Sequence, residues 1–271
     1  MCATCGCSGD TVLGDLQHDH EHGHSHDHDH DHDHDHDHDH DHDHGDGDSH
    51  SHQKPETRTV TLEQAVLARN DKLAERNRKW LAEHSILALN LMSSPGAGKT
   101  TLLERTIREL GAELRVSVIE GDQETVLDAD RIRATGAPAV QINTGSGCHL
   151  DAQMLAGGLE TLNPPDGSVV LIENVGNLVC PALFDLGEQA RIVITSVTEG
   201  AEKPRKYPQM FRAADLVLLN KIDLLPYVNF DVADFLDGAR RANPGVQVLH
   251  LSATTGEGMA DWYGWLRARL A

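Results

Sequence analysis

The chain has 271 residues, 19 of them histidine, and a formal charge of −20. Residues 1–54 hold 15 acidic residues against one Lys, so they carry −14 of that charge and residues 55–271 only −6. Such a balance argues against nucleic-acid binding, which needs clustered Lys and Arg against phosphate, and with no stretch near ~18 consecutive apolar residues no membrane span is expected.

The chain opens Met1-Cys2-Ala3-Thr4-Cys5-Gly6-Cys7. A Cys-x-x-Cys turn brings two sulfurs together, and Gly6 lets the backbone fold Cys7 inward, so Cys2, Cys5 and Cys7 can converge on one ion. If Met1 is removed, the free amine of Cys2 adds a nitrogen, a donor set that suits Ni²⁺. A redox pair is the other reading, but no βαβ unit surrounds it. The start also lacks a basic stretch followed by an apolar one, so a secretory signal is not expected and the cytoplasm is. In that compartment thiols stay reduced and serve as ligands more often than as disulfides.

From His26 to His44 every second residue is histidine and every residue between is aspartate. Neutral imidazole suits nickel, copper and zinc, and the carboxylates add hard oxygens and negative potential. His26, His28, His30, His32, His34, His36, His38, His40, His42 and His44 therefore read as a nickel store. No apolar residue falls between Glu21 and Gln53, so this stretch cannot bury a core and should be disordered. A spacer or purification tag is the plainer reading, but sixteen His between His18 and His52, mixed with Asp, differ from a plain tag. The expected divisions are a Cys-rich site over 1–14, the His/Asp tract over 15–54, a helical segment over 55–86 and one α/β domain over 87–271. Thr61-Leu62-Glu63-Gln64 reads as a capping box opening a helix to about His84.

Residues 87–92 read as a buried strand. Ser93-Ser94-Pro95-Gly96-Ala97-Gly98-Lys99-Thr100 follows, then a helical pattern over 101–111. Strand, Gly-rich loop and helix in that order are the setting a P-loop requires. Gly96, Ala97 and Gly98 turn amides toward phosphate oxygens, Lys99 reaches the β- and γ-phosphates, and Thr100, followed by Thr101, offers a hydroxyl to Mg²⁺. Ser93 stands where the pattern has its first Gly. Strands expected over 114–120 and 168–172 end in Asp122 and Glu173. A carboxylate there can hold Mg²⁺ directly or through water. Asp122 is the first candidate for a Mg²⁺ ligand, or for orienting the attacking water; Glu173 fits a water-mediated contact, and the Gly176 amide can meet the γ-phosphate.

Cys148-His149 lies in a Gly-rich loop before a helix over 151–160, and Cys180 lies four residues past Gly176. Both segments leave strand ends on one edge of the expected sheet, where ligands bind. Together they offer three metal ligands, one short of a closed zinc site, which water or a second subunit would complete. Asn220-Lys221-Ile222-Asp223 ends a strand over 216–219. There the Asp carboxylate accepts from the guanine N1–H and exocyclic amine, which adenine does not present, while Asn220 touches the base and braces the P-loop, and the Lys221 stem covers the ring. After a strand over 246–250, a backbone amide of Ser252-Ala253-Thr254 is placed to meet guanine O6. Helices over 124–135, 203–213, 231–242 and 257–270, with strands near 139–142 and 191–197, complete an alternating pattern. It implies a P-loop α/β fold, a mostly parallel sheet with helices on both faces.

The Cys-x-x-Cys-Gly-Cys start, the His-rich tract, Ser-Ser-Pro-Gly-Ala-Gly-Lys-Thr, Glu-Gly-Asp, Cys-His-Leu-Asp-Ala, Glu-Asn-Val-Gly-Asn-Leu-Val-Cys-Pro and Asn-Lys-Ile-Asp together resemble the HypB family of hydrogenase nickel-incorporation GTPases. The likeness runs along essentially the whole chain. It implies a dimerising GTPase, using GTP and Mg²⁺, that hydrolyses slowly and helps deliver Ni²⁺ to the precursor of the [NiFe]-hydrogenase large subunit, with a HypA-type metallochaperone as partner. On that resemblance Cys2, Cys5 and Cys7 match a tight nickel site, and Cys148, His149 and Cys180 a second site for Ni²⁺ or Zn²⁺. The urease accessory GTPases of the UreG family are the nearest rival, but their Cys-Pro-His tripeptide does not occur here. A passive nickel or zinc buffer is the remaining alternative.

Overall fold

Seven residues, Leu87–Ser93, form the strand from which the rest of the fold is organised. They are apolar apart from Asn90 and Ser93, and all are buried. A run this uniform belongs to a strand covered on both faces, which is the signature of a parallel sheet. The computed structural model describes residues 55–122, 127–145 and 147–270.

In chain order the elements are α1 (Pro55–Glu83), β1 (Leu87–Ser93), α2 (Lys99–Leu110), β2 (Val116–Asp122), α3 (Leu127–Arg133), β3 (Ala139–Asn143), α4 (Ala152–Leu162), β4 (Val169–Glu173), β5 (Ala190–Ser196), α5 (Lys203–Lys206), α6 (Pro208–Arg212), β6 (Leu216–Asn220), α7 (Val232–Ala242), β7 (Gln247–His250) and α8 (Met259–Leu270). The strands lie in the order β3-β2-β4-β1-β5-β6-β7, and every pairing is parallel. The expected α/β fold is therefore the one observed. The chain runs from β1 outward to β2 and β3, returns through β4, and crosses to β5. The ends of β1 and β4 thus lie side by side, where ligands bind such sheets.

Alternation along β1 divides the interior. Leu87, Leu89 and Leu91 join the core under α2 and α8, while Ala88 joins the core under α1 and α4. Trp262 of α8 is fully buried, and its Nε1 donates to Thr106 Oγ1 at 3.0 Å. Truncating so large a buried ring costs ~3–5 kcal/mol.

Helix α1 starts at Pro55, whose fixed φ and missing N–H suit a first turn. The capping box expected at Thr61 therefore falls inside the helix. Two buried asparagines seat α1. Asn70 Oδ1 accepts from the Ala152 amide (2.9 Å) and its Nδ2 donates to the Asp185 carbonyl (2.7 Å). Asn77 Nδ2 donates to the carbonyls of Ala152 (2.8 Å) and Leu186 (2.9 Å). Gly187, at φ +92, meets the helix so closely that a Cβ there would stand 2.3 Å from the Ala74 carbonyl oxygen. The single helix expected over 203–213 is instead α5 and α6. Pro208 disfavours the helical region for Tyr207, whose φ of −127 breaks the run. Among the described residues no helix is long and apolar enough to cross a membrane.

Candidate functional site

The loop between β1 and α2 folds around two glycines in the left-handed region, Gly96 (φ +75) and Gly98 (φ +96). That conformation aims successive amides at the N-terminus of α2, where aligned peptide dipoles favour an anion. Gly98 also has no room for a side chain: a Cβ would stand 2.6 Å from Asn220 Nδ2. Lys99 Nζ donates to Ser93 Oγ at 2.8 Å, so the residue in the first-glycine position holds the lysine over the loop. Thr100 Oγ1 donates to Glu173 Oε1 at 2.8 Å, and both residues are buried. A hydroxyl and a carboxylate this close at the phosphate-binding end of a helix form a hard-oxygen pair that fits Mg²⁺. Of the two acids named from the sequence, Glu173 is thus the one touching Thr100. Asp122 closes β2, two positions beyond Glu120, which pairs in register with Glu173. Gly176 lies against the P-loop, its Cβ position 3.1 Å from the Pro95 nitrogen. Thr101 Oγ1 accepts from Arg131 at 3.2 Å.

The segments expected to recognise the base converge on Asn220, which is 1% exposed. Its Nδ2 donates to the Ala97 carbonyl at 2.9 Å, and its Oδ1 accepts from the amides of Lys221 (2.8 Å) and Ala253 (3.0 Å). The bracing of the P-loop is as expected. Of the Ser252-Ala253-Thr254 amides, one of which is expected to meet guanine O6, that of Ala253 is engaged by Asn220. Lys221 Nζ donates to the Gly96 carbonyl at 2.7 Å, so its stem reaches across to the P-loop. Ser252 is fully buried, and its amide donates to the Glu257 carbonyl at 2.8 Å. Asp223 Oδ1 is buried with no hydrogen-bond partner. A buried unpaired carboxylate oxygen is costly unless a ligand satisfies it, and the paired N–H donors of guanine suit it.

The second cluster lies in the loops after β3 and β4. One ligand atom from each of Cys148, His149 and Cys180 lies within 4.8 Å of the others, each residue half-buried. Cys148 Sγ stands 3.6 Å from His149 Nδ1. Burial lowers the His149 pKa, against a smaller upward pull from Asp151. A neutral imidazole is the form that ligates metal. The Phe184 ring packs on His149 at a centroid distance of 3.9 Å. Two thiols and an imidazole fit a borderline-soft divalent ion with a coordination position left for a further ligand. Val179 and Leu183, either side of the Cys180 turn, are exposed at 49% and 46%.

Sequence reasoning gave Asn174 no role, yet it joins the two clusters. Its Oδ1 accepts from the Leu150 amide (3.1 Å), next to His149, and from the Val175 amide (2.9 Å), next to Gly176; its Nδ2 donates to Asn90 Oδ1 in β1 (3.2 Å). Asn177 adds a 3.4 Å bond to the Cys148 carbonyl. Glu199 was also missed; it accepts from the Ser94 hydroxyl of the P-loop and pairs with Lys203 at 3.5 Å. Cys2, Cys5, Cys7 and the histidines from His26 to His44 lie outside the described residues.

The comparisons agree with this geometry. The domain described as "CobW/HypB/UreG, nucleotide-binding domain" matches residues 87–250. The hydrogenase maturation factor HypB of Escherichia coli (strain K12) is 56% identical over 214 residues, 79% of this chain and 74% of that one. The crystal structure of HypB from Archaeoglobus fulgidus superposes with a TM-score of 0.71 at 42% identity, over 75% of this chain and 100% of that one. HypB from Helicobacter pylori in complex with nickel superposes with a TM-score of 0.70 at 36% identity, over 74% and 95%. A P-loop braced by Asn220, a thiol–imidazole cluster one asparagine away and these likenesses lead to one assignment: the chain belongs to the HypB members of the CobW/HypB/UreG family.

Proposed function

We propose that the protein is a GTP-hydrolysing nickel metallochaperone of the cytoplasm. It stores nickel on its His/Asp tract and delivers the metal during maturation of a [NiFe]-hydrogenase, with the bound nucleotide governing subunit pairing and metal release. Residues 1–14 and 15–54 act as nickel-binding segments, 55–86 as the helical segment, and 87–271 as the GTPase domain. Its partners are a HypA-type metallochaperone and the large-subunit precursor.

The observation that carries this reading is the bridge made by Asn174, whose one oxygen holds both the amide after His149 and the amide before Gly176. Loops of this kind order around a γ-phosphate and relax when it leaves. A movement of 174–176 therefore pulls on the loop that carries two of the metal ligands.

Lys99 and the α2 amides hold the phosphates of GTP and take up the charge that develops as water attacks the γ-phosphorus and GDP leaves. Asp122 orients that water. Thr100 and Glu173 would hold Mg²⁺, which supplies charge neutralisation when bound. With the charge left to Lys99 and the α2 amides and no arginine in that role, slow unassisted turnover is expected. Asp223, Asn220, Lys221 and the Ser252-Ala253 turn select guanine. Cys148, His149 and Cys180 take Ni²⁺ or Zn²⁺, and the exposed Val179 and Leu183 beside them support pairing of two subunits across this face.

The test is nickel and zinc affinity of the full-length protein with GDP and with a non-hydrolysable GTP analogue, using Cys148→Ala to subtract uptake elsewhere. The nucleotide should change the affinity of the subtracted site. Identical affinities in both states would refute the linkage.

A further inference from the structure

Helix α1 carries a basic face that the nucleotide and metal sites leave unused. Arg69, Lys72 and Arg76, spaced to share one side of the helix, line a groove with Leu73 and with Gln153 of α4. All three cations are exposed, and none makes an ion pair with a carboxylate among the described residues. This sets them apart from Arg78, which is paired with Asp185, and Lys79, which is paired with Glu83. The groove runs along the first turn of α4, because Asn70 and Asn77 of α1 bond the Ala152 backbone. Ala152 is three residues beyond His149, so the basic face adjoins the loop that carries the metal cluster.

We infer that this groove holds the Asp/His tract of the same chain, residues 27–44. Charge is the first argument. The tract repeats Asp at every second position from Asp27 to Asp43, with no Lys or Arg among them, whereas the groove presents three cations without a carboxylate in its lining. Several charges facing several opposite charges attract more strongly than a single exposed pair, and salt screens them. Reach is the second argument. From Pro55 to Lys72 the helix rises about 26 Å. Residues 45–54 extended cover about 33–36 Å, so the tract can fold back along α1 to Lys72 without leaving its own chain. Tethered there, its imidazoles are held at a high effective concentration beside Cys148, His149 and Cys180. This deepens the storage-and-delivery reading and rests on it only for its purpose, since the docking itself is between carboxylates and cations.

The test is zero-length carbodiimide crosslinking of metal-free, full-length protein, read by mass spectrometry, with isotopically heavy and light copies mixed. Lys72 should join to aspartates between Asp27 and Asp43 within one copy. The crosslinks should disappear in Arg69→Glu/Arg76→Glu, which keeps the Lys72 amine and touches no assigned site, and in high salt. Absence of the Lys72 crosslinks would overturn the proposal. So would crosslinks undiminished by the double substitution, or crosslinks joining heavy to light copies alone. Nickel uptake measured on the same samples separates the two readings: a tract that docks and takes up no nickel defeats storage, and one that takes up nickel without docking defeats the groove.

Discussion

The corner around Asn220 and the thiol–imidazole cluster sit at the same end of one parallel sheet and are built in different ways. At the first, Asn220 is buried and makes three hydrogen bonds that lock three loops together. At the second, the ligands are half-buried, and what holds them comes from neighbours such as Asn174, Asn177 and Phe184. On the proposed reading, a nucleotide meets loops that are already braced, and its binding energy need not be spent on ordering them. The cluster, held at its margins, can respond to what happens next door. On the proposed reading, the difference separates a fixed reader from an adjustable receiver.

The largest expected effect tests the nucleotide side alone. Lys99→Ala removes the cation over the phosphates and should lower GTP turnover by ~10²–10³-fold, measured as phosphate release, while nickel absorbance at the cluster thiolates persists. Unchanged turnover would reject the P-loop assignment. Asn220→Ala comes next. It strands the amides of Lys221 and Ala253, so thermal unfolding should show a loss of about 2–3 kcal/mol, with weakened guanine-nucleotide binding. Were stability and affinity both retained, the corner would not be the rigid half of the comparison.

Asn174→Ala tests the link. Its expected signature is that nickel affinity at the cluster becomes the same with GDP and with a GTP analogue, erasing a coupling of ~1–3 kcal/mol, with Cys148→Ala as the blank for the titration. A nucleotide effect that survives the substitution would show that another contact carries the signal. The smallest effect is expected from Arg78→Ala, which breaks a half-exposed ion pair of 2.6 Å to Asp185. Such pairs contribute ~0–1 kcal/mol, so the melting temperature should barely move. A large shift would mean that α1 is seated by charge and not by its buried asparagines.

What the sequence made legible follows from range. The P-loop, the Asn-Lys-x-Asp segment and the strands are local patterns: a Gly spacing, a run of apolar residues, a motif at a strand end. They match the observed fold closely, and β1 differs from its expected span by one residue. The grouping of Cys148, His149 and Cys180 also follows from a short rule, that ligands gather at one edge of a parallel sheet. Asn174 escaped because its partners, Asn90 and Leu150, are distant in sequence, and nothing in its neighbourhood distinguishes a bridging amide from a loop residue. The His149–Phe184 contact is of the same kind. The break at Pro208 was legible in principle, since a proline restrains the residue before it.

The tight seat of Gly187 against α1 has a wider implication. Any substituent there would lever the long helix away from its berth, and the asparagines that anchor the start of α4 would leave with it. A segment that precedes the start of the family match at residue 87 therefore acts as a splint for the thiol–imidazole cluster. Dissecting the protein at that boundary would leave the Asn220 corner its own bracing and deprive its neighbour of support.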